Sequence, residues 1–491
     1  MIMKRFVTFI ACCLCVSTMA LAQSGGDGGG GMGGDGGGDG NGGGMGGEGG
    51  GSGDSTTTMG SASSTGYSQS EGTNSATGET YTSTNSDENA VQITGGTFTM
   101  TDCTVVKSSG DTSDSDGSSF YGINSAVYCG GSSSVLNISG GMVTTSAAGA
   151  NGIFAFDYGT INVSDVSVTT TSNLSRGIHA TGGGIINATD LTISTSKTNC
   201  SVIATDRGGG TVTVNGGTYT TTGDDSAITY STGTISATGI EGSSSKGEIG
   251  VIEGDNSITL TDCEVSSGSS SRGMMILQSG SGDSEGYNGY ITVNGGSLTL
   301  TDGSAPLLEV PTYITGTLTL KDVTLNVPSG LLMRVNYNTQ WSTYGGTGIL
   351  VLTTDSCWSY TGNVEADAYS TAIVRVGEGV TWNGSMDANS EAASTEVTVS
   401  GEWSLTDDSN VDALTVSEGA TVYTNGYTLT YGSLSGEGTI TSGIASISVE
   451  SNADTTGVYT LDGKCLGEDA SVLETLPAGI YIYQGKKWMV Q

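Results

Sequence analysis

The sequence has few basic residues, prolines, histidines and aromatic side chains, and each shortage excludes a class of protein. Lysine and arginine number 14 against 49 acidic residues, so the formal charge is −35 and no basic stripe can form to bind nucleic acid. Four prolines exclude collagen despite the 83 glycines, because a collagen triple helix needs abundant proline and a strict Gly-X-Y period. The single histidine makes histidine-based catalysis or zinc binding a poor first hypothesis.

Residues 1–22 are typical of a secretory signal peptide. Lys4 and Arg5 give a positive start, an apolar run follows, and Ala20-Leu21-Ala22 is a small-residue cleavage site. The alternative is lipidation at one of three cysteines, Cys12, Cys13 or Cys15. No later apolar run is long enough for a transmembrane helix, which needs about 18 or more residues. We therefore expect a protein that is secreted or held on the outer surface of a Gram-negative bacterium.

The mature chain would keep six cysteines, at Cys103, Cys129, Cys200, Cys263, Cys357 and Cys465. They are widely spaced and contain no CxxC pair, so a thiolate metal site is not expected. An oxidising compartment permits disulfides among them, and the sequence leaves their connectivity open. The spacing favours small buried side chains over paired ones.

Residues 23–90 are predicted to be a disordered acidic linker. Residues 24–53 are almost entirely glycine with scattered acids, and residues 54–89 are rich in serine, threonine and asparagine. Such a composition has too few apolar groups to offset an ordering cost of about 1–2 kcal/mol per residue. A calcium-binding nonapeptide array is the alternative for residues 24–53, but it would need an aliphatic residue at a fixed step after each aspartate.

From residue 91 the chain repeats with a period of about 25 residues. The first apolar position recurs in eight copies, at Leu136, Ile161, Ile186, Val212, Ile235, Ile258, Ile291 and Leu318. A second apolar position follows two residues later in each copy, which predicts a strand with one buried face. The next column contains only glycine or aspartate, at Gly140, Asp165, Asp190, Gly216, Gly239, Asp262, Gly295 and Asp322. These residue types tolerate the left-handed backbone of a sharp corner, so a second strand is expected after each corner.

A third strand is expected about 17 residues after the first position of each copy, as at Ile153, Ile178, Val202 and Leu332. Three short strands per coil without any helical period predict an all-β fold, a right-handed parallel β-helix. We place it at residues 91–443, with regular coils over 91–340 and irregular closing coils over 341–443. The first copy begins either at Val91 or at Phe98, since both registers fit. Insertions at 110–119 and 279–289 are expected outside the coils, where binding sites are usually built.

Two segments resemble known families. The stretch from Val397 to Gly432 is similar to the terminal coils of autotransporter-type and adhesin-like β-helices. Within residues 444–491, GVYTLDGK followed by LPAGIYIYQGKK resembles the C-terminal sorting domain of Bacteroidetes secreted and surface proteins. That resemblance implies a small antiparallel β domain that is read by the type IX export machinery. The alternative is a small β cap without an export role.

Candidate site residues lie on the outward positions of the third strand and near it. Six residues form the candidate ligand surface, Phe154, Phe156, Tyr158, Arg176, His179 and Arg207. The aromatic side chains could offer a platform for a sugar, while His179 alternates with inward Ile178 and is expected to be exposed on the surface. A lyase would need a basic residue beside acidic calcium ligands. A lone exposed histidine is more often an ordinary surface residue than such a base.

The acidic column and the acidic loop are not expected to be catalytic or metal-binding. Glycine interrupts the aspartate column where an acid would be required, so this column is interpreted as turn chemistry. The loop with Asp111, Asp114 and Asp116 could hold calcium, but it lacks EF-hand spacing and is interpreted as solvated. We therefore expect no cofactor and no enzymatic activity. The predicted function is an adhesin-like or structural surface protein that binds a polysaccharide or a host or cell-surface ligand. The alternative is a carbohydrate-active β-helix.

Overall fold

The computed structural model describes residues 59–278, 284–339, 342, 344–442, 458–459, 465–467, 470–477, 479–483 and 486–490. All of them belong to one compact unit. The predicted signal peptide, its three cysteines and the glycine-rich stretch 24–53 lie outside the described residues, as do residues 279–283 of the insertion at 279–289.

The described chain winds as a parallel β-helix, so the predicted fold class is confirmed. Sheet I contains one strand from each coil up to residue 366, namely Ser61–Gln69, Glu88–Ile93, Val127–Gly130, Ile153–Phe156, Ile178–Thr181, Ile203–Thr205, Thr229–Ser231, Gly250–Glu253, Met274–Leu277, Leu308–Val310, Leu331–Val335 and Asn363–Ala366. These are the predicted third strands and their equivalents.

Sheet II contains the strands on either side of the predicted corner. Those before the corner, or running through it, are Thr73–Thr77, Gly96–Thr101, Ser134–Ser139, Thr160–Ser164, Gly184–Thr195, Gly210–Thr221, Thr234–Thr238, Ser257–Thr261, Asn288–Asn294, Thr315–Lys321, Thr347–Thr353, Thr371–Val376, Ser394–Val399, Ser409–Val416 and Leu429–Ser435. Those after it are Thr80–Ser83, Thr104–Lys107, Met142–Thr145, Ser167–Thr170, Glu241–Ser244, Glu264–Ser267, Ser297–Leu300 and Thr324–Asn326.

The repeat that the sequence predicts is the register of sheet II. Ile161 pairs with Leu136 on one side and with Ile186 on the other, and Ile186 pairs with Val212. All four side chains are completely buried. Each such side chain contributes about 1.5–3 kcal/mol by leaving water. Because the same residues stack coil on coil, the stability of the fold comes from stacking and not from any one coil.

The corner column adopts the left-handed backbone that its residue types predict. Asp165 has φ 56° and Asp190 has φ 51°, while the equivalent Gly140 and Gly216 have φ 67° and 66°. The backbone turns there from the first strand of sheet II to the second. The aspartates are therefore corner residues, as the sequence indicates.

Within the described residues the first strand of the β-helix is Ser61–Gln69, so the predicted linker boundary at residue 90 is wrong. Residues 61–93 form four strands, and the first of these pairs with Glu88–Ile93 in sheet I. The ring of Tyr67 stacks on Phe98 at a centroid distance of 4.0 Å. The polar segment is ordered because the next coil supplies both hydrogen-bond partners and apolar contacts. Phe98 pairs with Leu136, so the Phe98 register is the correct one of the two alternatives.

The arrangement of strands changes after residue 350. The strands that follow those of sheet II then belong to a separate parallel sheet, sheet III. Its strands are Trp358–Thr361, Val380–Asn383, Glu402–Ser404, Thr421–Tyr423 and Thr439–Thr441. Trp382 and Trp403 are fully buried and stack at 5.0 Å with an angle of 10° between their planes. Each indole nitrogen donates a hydrogen bond to a backbone carbonyl, of Gly362 at 2.8 Å and of Gly384 at 2.9 Å. The two tryptophans thus fill the interior of these closing coils with large rings, and the polar N–H of each ring is hydrogen-bonded.

A small antiparallel sheet lies near the C-terminus, as predicted. Its strands are Val458–Tyr459, Cys465–Gly467, Gly479–Tyr483 and Lys486–Val490. The described residues contain two short helices, α1 at Ser115–Tyr121 and a 3₁₀ helix at Ala470–Thr475. Neither is long enough to cross a bilayer.

Five of the predicted mature cysteines have described side chains, and all five are free thiols. Cys103, Cys129, Cys200 and Cys263 are buried, while Cys357 is exposed. Burial raises the pKa of the Cys129 thiol to about 12. The four buried residues thus behave as small apolar side chains in the core, which agrees with the interpretation from their spacing.

Candidate functional site

The outward positions of sheet I bring the predicted site residues together. Phe154 pairs in register with His179, and His179 pairs with Ala204. The rings of Phe154 and His179 meet edge to face at 4.8 Å. Phe156 lies two residues farther along the same strand. The alternation of the strand therefore places the side chains on the predicted face.

Helix α1 covers this face, which the sequence did not predict. It begins within the insertion at 110–119, for which the sequence predicts a solvated acidic loop, and it extends two residues beyond that insertion. Asp114 caps its start by accepting a hydrogen bond from the backbone N–H of Gly117 at 2.9 Å, and Gly122 ends it at φ 69°. The side chain of Phe120 is buried, and the ring of Tyr121 meets Phe156 edge to face at 5.7 Å.

Both candidate arginines contact residues of α1 from the side of the sheet. The guanidinium of Arg207 lies 3.9 Å from the centre of the Phe120 ring. Arg176 donates a hydrogen bond to the Ser119 hydroxyl at 2.8 Å and forms an ion pair with Asp206 at 3.6 Å. These contacts give the arginines a structural role beneath the insertion.

His179 is fully buried, so the expectation of an exposed surface histidine is wrong. Its side chain has no exposed area, and neither ring nitrogen has a hydrogen-bond partner in the described part of the chain. Burial, and then the nearby charge of Arg176, hold the pKa of His179 well below its ordinary value. Alternation along the strand predicts the face correctly, but it does not reveal that an insertion covers that face. A neutral histidine without access to solvent is poorly placed to accept a proton from a polysaccharide.

Tyr158 lies apart from this cluster and is 62% exposed. Its ring lies over Gly183, where an added Cβ would come within 2.6 Å of a ring carbon. The structure thus brings five of the six predicted residues under or against α1 and leaves Tyr158 in solvent. The six do not form one exposed ligand surface.

Two acids of the insertion accept hydrogen bonds from backbone N–H groups. Asp111 accepts a hydrogen bond from the backbone N–H of Ala148 at 2.8 Å, and Asp114 caps α1. Within the described ranges, no three acidic, cysteine or histidine side chains come together as metal ligands would.

A row of exposed tyrosines on successive coils was missed by the sequence reasoning. We define the tyrosine row as Tyr287, Tyr313, Tyr344 and Tyr369, whose side chains are 51%, 54%, 67% and 68% exposed. The ring centroids of Tyr287 and Tyr313 lie 5.8 Å apart, and those of Tyr313 and Tyr344 lie 5.9 Å apart. Each residue lies in the turn that leads into a strand of sheet II, and those strands pair with one another in succession.

Hydrogen bonds fix the backbone of this row. The Ser342 hydroxyl accepts from the backbone N–H of Tyr313 at 3.2 Å and of Tyr344 at 3.3 Å. Asp367 accepts from the backbone N–H of Tyr369 at 3.0 Å. The ring of Tyr369 also lies 5.2 Å from that of Tyr337. The exposed rings therefore project from turns whose backbone is hydrogen-bonded.

The signal for this row was present in the sequence but irregular. The four tyrosines lie one, two, three and two residues before the paired strand positions Asn288, Thr315, Thr347 and Thr371. Their steps of 26, 31 and 25 residues do not form a column when the copies are aligned on their inward residues. Aligning the turns instead would have found them.

Comparison with protein-family models, with curated proteins and with solved structures finds no match for this chain.

Proposed function

We propose that this protein is a non-catalytic, adhesin-like β-helix that is exported and displayed on the surface of a Gram-negative bacterium. The observation that carries the non-catalytic part is the position of α1, which contacts Arg176 and Arg207 on the face of sheet I where His179 is fully buried. A base or a cation of a polysaccharide-cleaving site must touch its substrate, whereas here the two arginines contact α1 and His179 is buried.

The surface location is supported by the sequence. Residues 1–22 resemble a secretory signal, and residues 444–491 resemble a sorting domain of the type IX pathway. The small antiparallel sheet within that segment is compatible with such a domain. We propose the export machinery as the partner of this segment.

Limited proteolysis of intact cells tests the display. The expected result is rapid loss of full-length protein from intact cells while a periplasmic marker stays whole. A matched strain that produces the chain without residues 444–491 should retain it inside the cell, protected until lysis. Protection of the full-length protein on intact cells would contradict surface display, and unchanged display of the shortened chain would contradict the sorting role.

A further inference from the structure

We propose that the tyrosine row binds a neutral polysaccharide chain that lies along the β-helix axis. This inference deepens the proposed function, on which it rests, by naming a ligand class and a surface. It starts from the exposure of the rings. Between residues 284 and 400, every large apolar side chain exposed in the described chain is a tyrosine, namely Tyr287, Tyr290, Tyr313, Tyr344 and Tyr369.

The direction of the row follows from the fold. Strands of neighbouring coils lie about 4.8 Å apart along the stacking direction, so residues at the same turn of each coil form a line parallel to the axis. The observed ring separations of 5.8 and 5.9 Å fit one ring per coil. An extended linear ligand would therefore meet Tyr287, Tyr313 and Tyr344 on three consecutive coils, whereas a compact small molecule would use only one or two.

The chemistry of the rings favours a sugar. The face of an aromatic ring carries partial negative charge, and the C–H groups of a pyranose ring present a weakly positive, apolar face to it. The phenol hydroxyls and the nearby carboxylates of Asp255 and Asp367 offer hydrogen-bond partners for sugar hydroxyls. Asp255 lies beside Tyr287, where it accepts from the backbone of Asn288, and Asp367 lies beside Tyr369.

The same surface is less suited to a protein partner. The core of a protein interface is usually packed with aliphatic and aromatic side chains that are excluded from water. The exposed aromatic side chains here stand among serine, threonine, asparagine and aspartate, with no exposed aliphatic side chain of large size in the described part of this region. A row of separate rings in polar surroundings matches the alternation of apolar ring faces and hydroxyls along a sugar chain.

Charge selects a neutral chain. The protein carries a formal charge of −35, and Asp255 and Asp367 add negative charge next to the row. A polyanion such as polygalacturonate would be repelled at moderate salt concentration.

The ordered backbone of Tyr313 and Tyr344 limits the conformational entropy that these residues lose when a ligand binds.

Affinity electrophoresis of the full mature chain tests the proposal. The probes are three soluble neutral polysaccharides, a mixed-linkage β-glucan, a xyloglucan and a galactomannan, with polygalacturonate as the polyanion and immobilised fibronectin as the protein ligand. We expect retardation by at least one neutral polysaccharide and none by polygalacturonate. The combined substitutions Tyr287→Ala, Tyr313→Ala and Tyr344→Ala should weaken binding about 10- to 1,000-fold.

Two control variants make the result specific. Tyr158→Ala removes an equally exposed tyrosine from a different turn and should leave the affinity unchanged. Tyr313→Phe keeps the ring and should retain affinity within about threefold, since stacking does not need the hydroxyl. An unchanged circular dichroism spectrum of the triple variant would show that its fold is intact.

Three outcomes would overturn the proposal. The first is no retardation by any of the neutral polysaccharides. The second is binding that survives the triple substitution or falls equally with Tyr158→Ala. The third is row-dependent capture of fibronectin without polysaccharide binding, which would assign the row to a protein partner. Because the purified chain is used, failure here leaves the proteolysis test of surface display unaffected.

Discussion

Lys107 provides a test of how the first coils are built, because it is a lysine within the coil interior. It has no exposed area and pairs in register with Ser83 and Thr145. Its Nζ donates to the Ser83 hydroxyl at 3.1 Å, to the Glu88 carbonyl at 3.0 Å and to the Asn85 carbonyl. Burial lowers the pKa of Lys107 from 10.5 to about 8, against the opposing pull of Glu88.

The sign of the pH effect follows from this lowered pKa. Between about pH 8 and 10.5 the unfolded chain binds the Lys107 proton and the folded chain has released it, so folding stability gains from this group as the pH rises. The penalty of burying the charge is fully present below pH 8. With about 1.36 kcal/mol for each pKa unit, raising the pH from 7 to 9.5 should recover roughly 2 kcal/mol.

The assay is urea unfolding at several pH values, followed by far-UV circular dichroism. Cys129 titrates in the same range with the opposite sign, because its raised folded pKa of about 12 costs stability as the unfolded thiol ionises near pH 9. The measured quantity is therefore the difference between the wild-type chain and Lys107→Met, in which the cysteine contribution cancels. This difference should move in favour of wild type by roughly 2 kcal/mol from pH 7 to 9.5. A difference that is independent of pH, or that moves the other way, would refute the reasoning.

Three further predictions concern single positions and are measured by thermal or urea unfolding. His179→Phe should stabilise the fold by about 1–2 kcal/mol at pH 7, since it removes two buried ring nitrogens without partners. Its advantage should grow at pH 5, because only the unfolded wild-type histidine can then take up a proton, and an unchanged or lower stability would show that His179 is solvated. Trp382→Ala should cost about 3–5 kcal/mol through loss of the buried stack, and a cost below about 1 kcal/mol would contradict the packing described for the closing coils. Asp165→Val should cost about 1–2 kcal/mol at φ 56°, whereas Asp165→Gly should be nearly neutral, and equal effects would contradict a left-handed corner.

The β-helix could be predicted because its sequence repeats the same physical demand in every coil. Inward positions such as Ile161 and Ile186 contact their own equivalents, so one column of the aligned copies records one row of contacts. The corner could be predicted from the column that contains Asp165, since a left-handed backbone limits the residue types found there. The first coil was missed because its strands are rich in serine and threonine. Their order depends on pairing with the next coil, which composition does not measure.

The candidate site could be predicted only in part. Strand alternation places Phe154 and His179 on one face, and the structure brings them together. The cover over that face is helix α1, whose two aromatic residues, Phe120 and Tyr121, directly follow the polar, acidic insertion at 110–119. The tyrosine row was missed because turns vary in length between coils while strands do not. Positions outside the strand register therefore need an alignment of their own.

The most direct test of the account combines binding and cleavage in one measurement. The mature chain is incubated with whichever neutral polysaccharide retards it, and both the bound fraction and newly formed sugar ends, reducing or unsaturated, are counted. The account predicts saturable binding that depends on the tyrosine row, with no increase in sugar ends over a buffer control. New ends that form in proportion to the protein, and that disappear in the combined variant Arg176→Ala, His179→Ala and Arg207→Ala, would contradict it. That result would show that the face beneath helix α1 opens and acts on the polysaccharide.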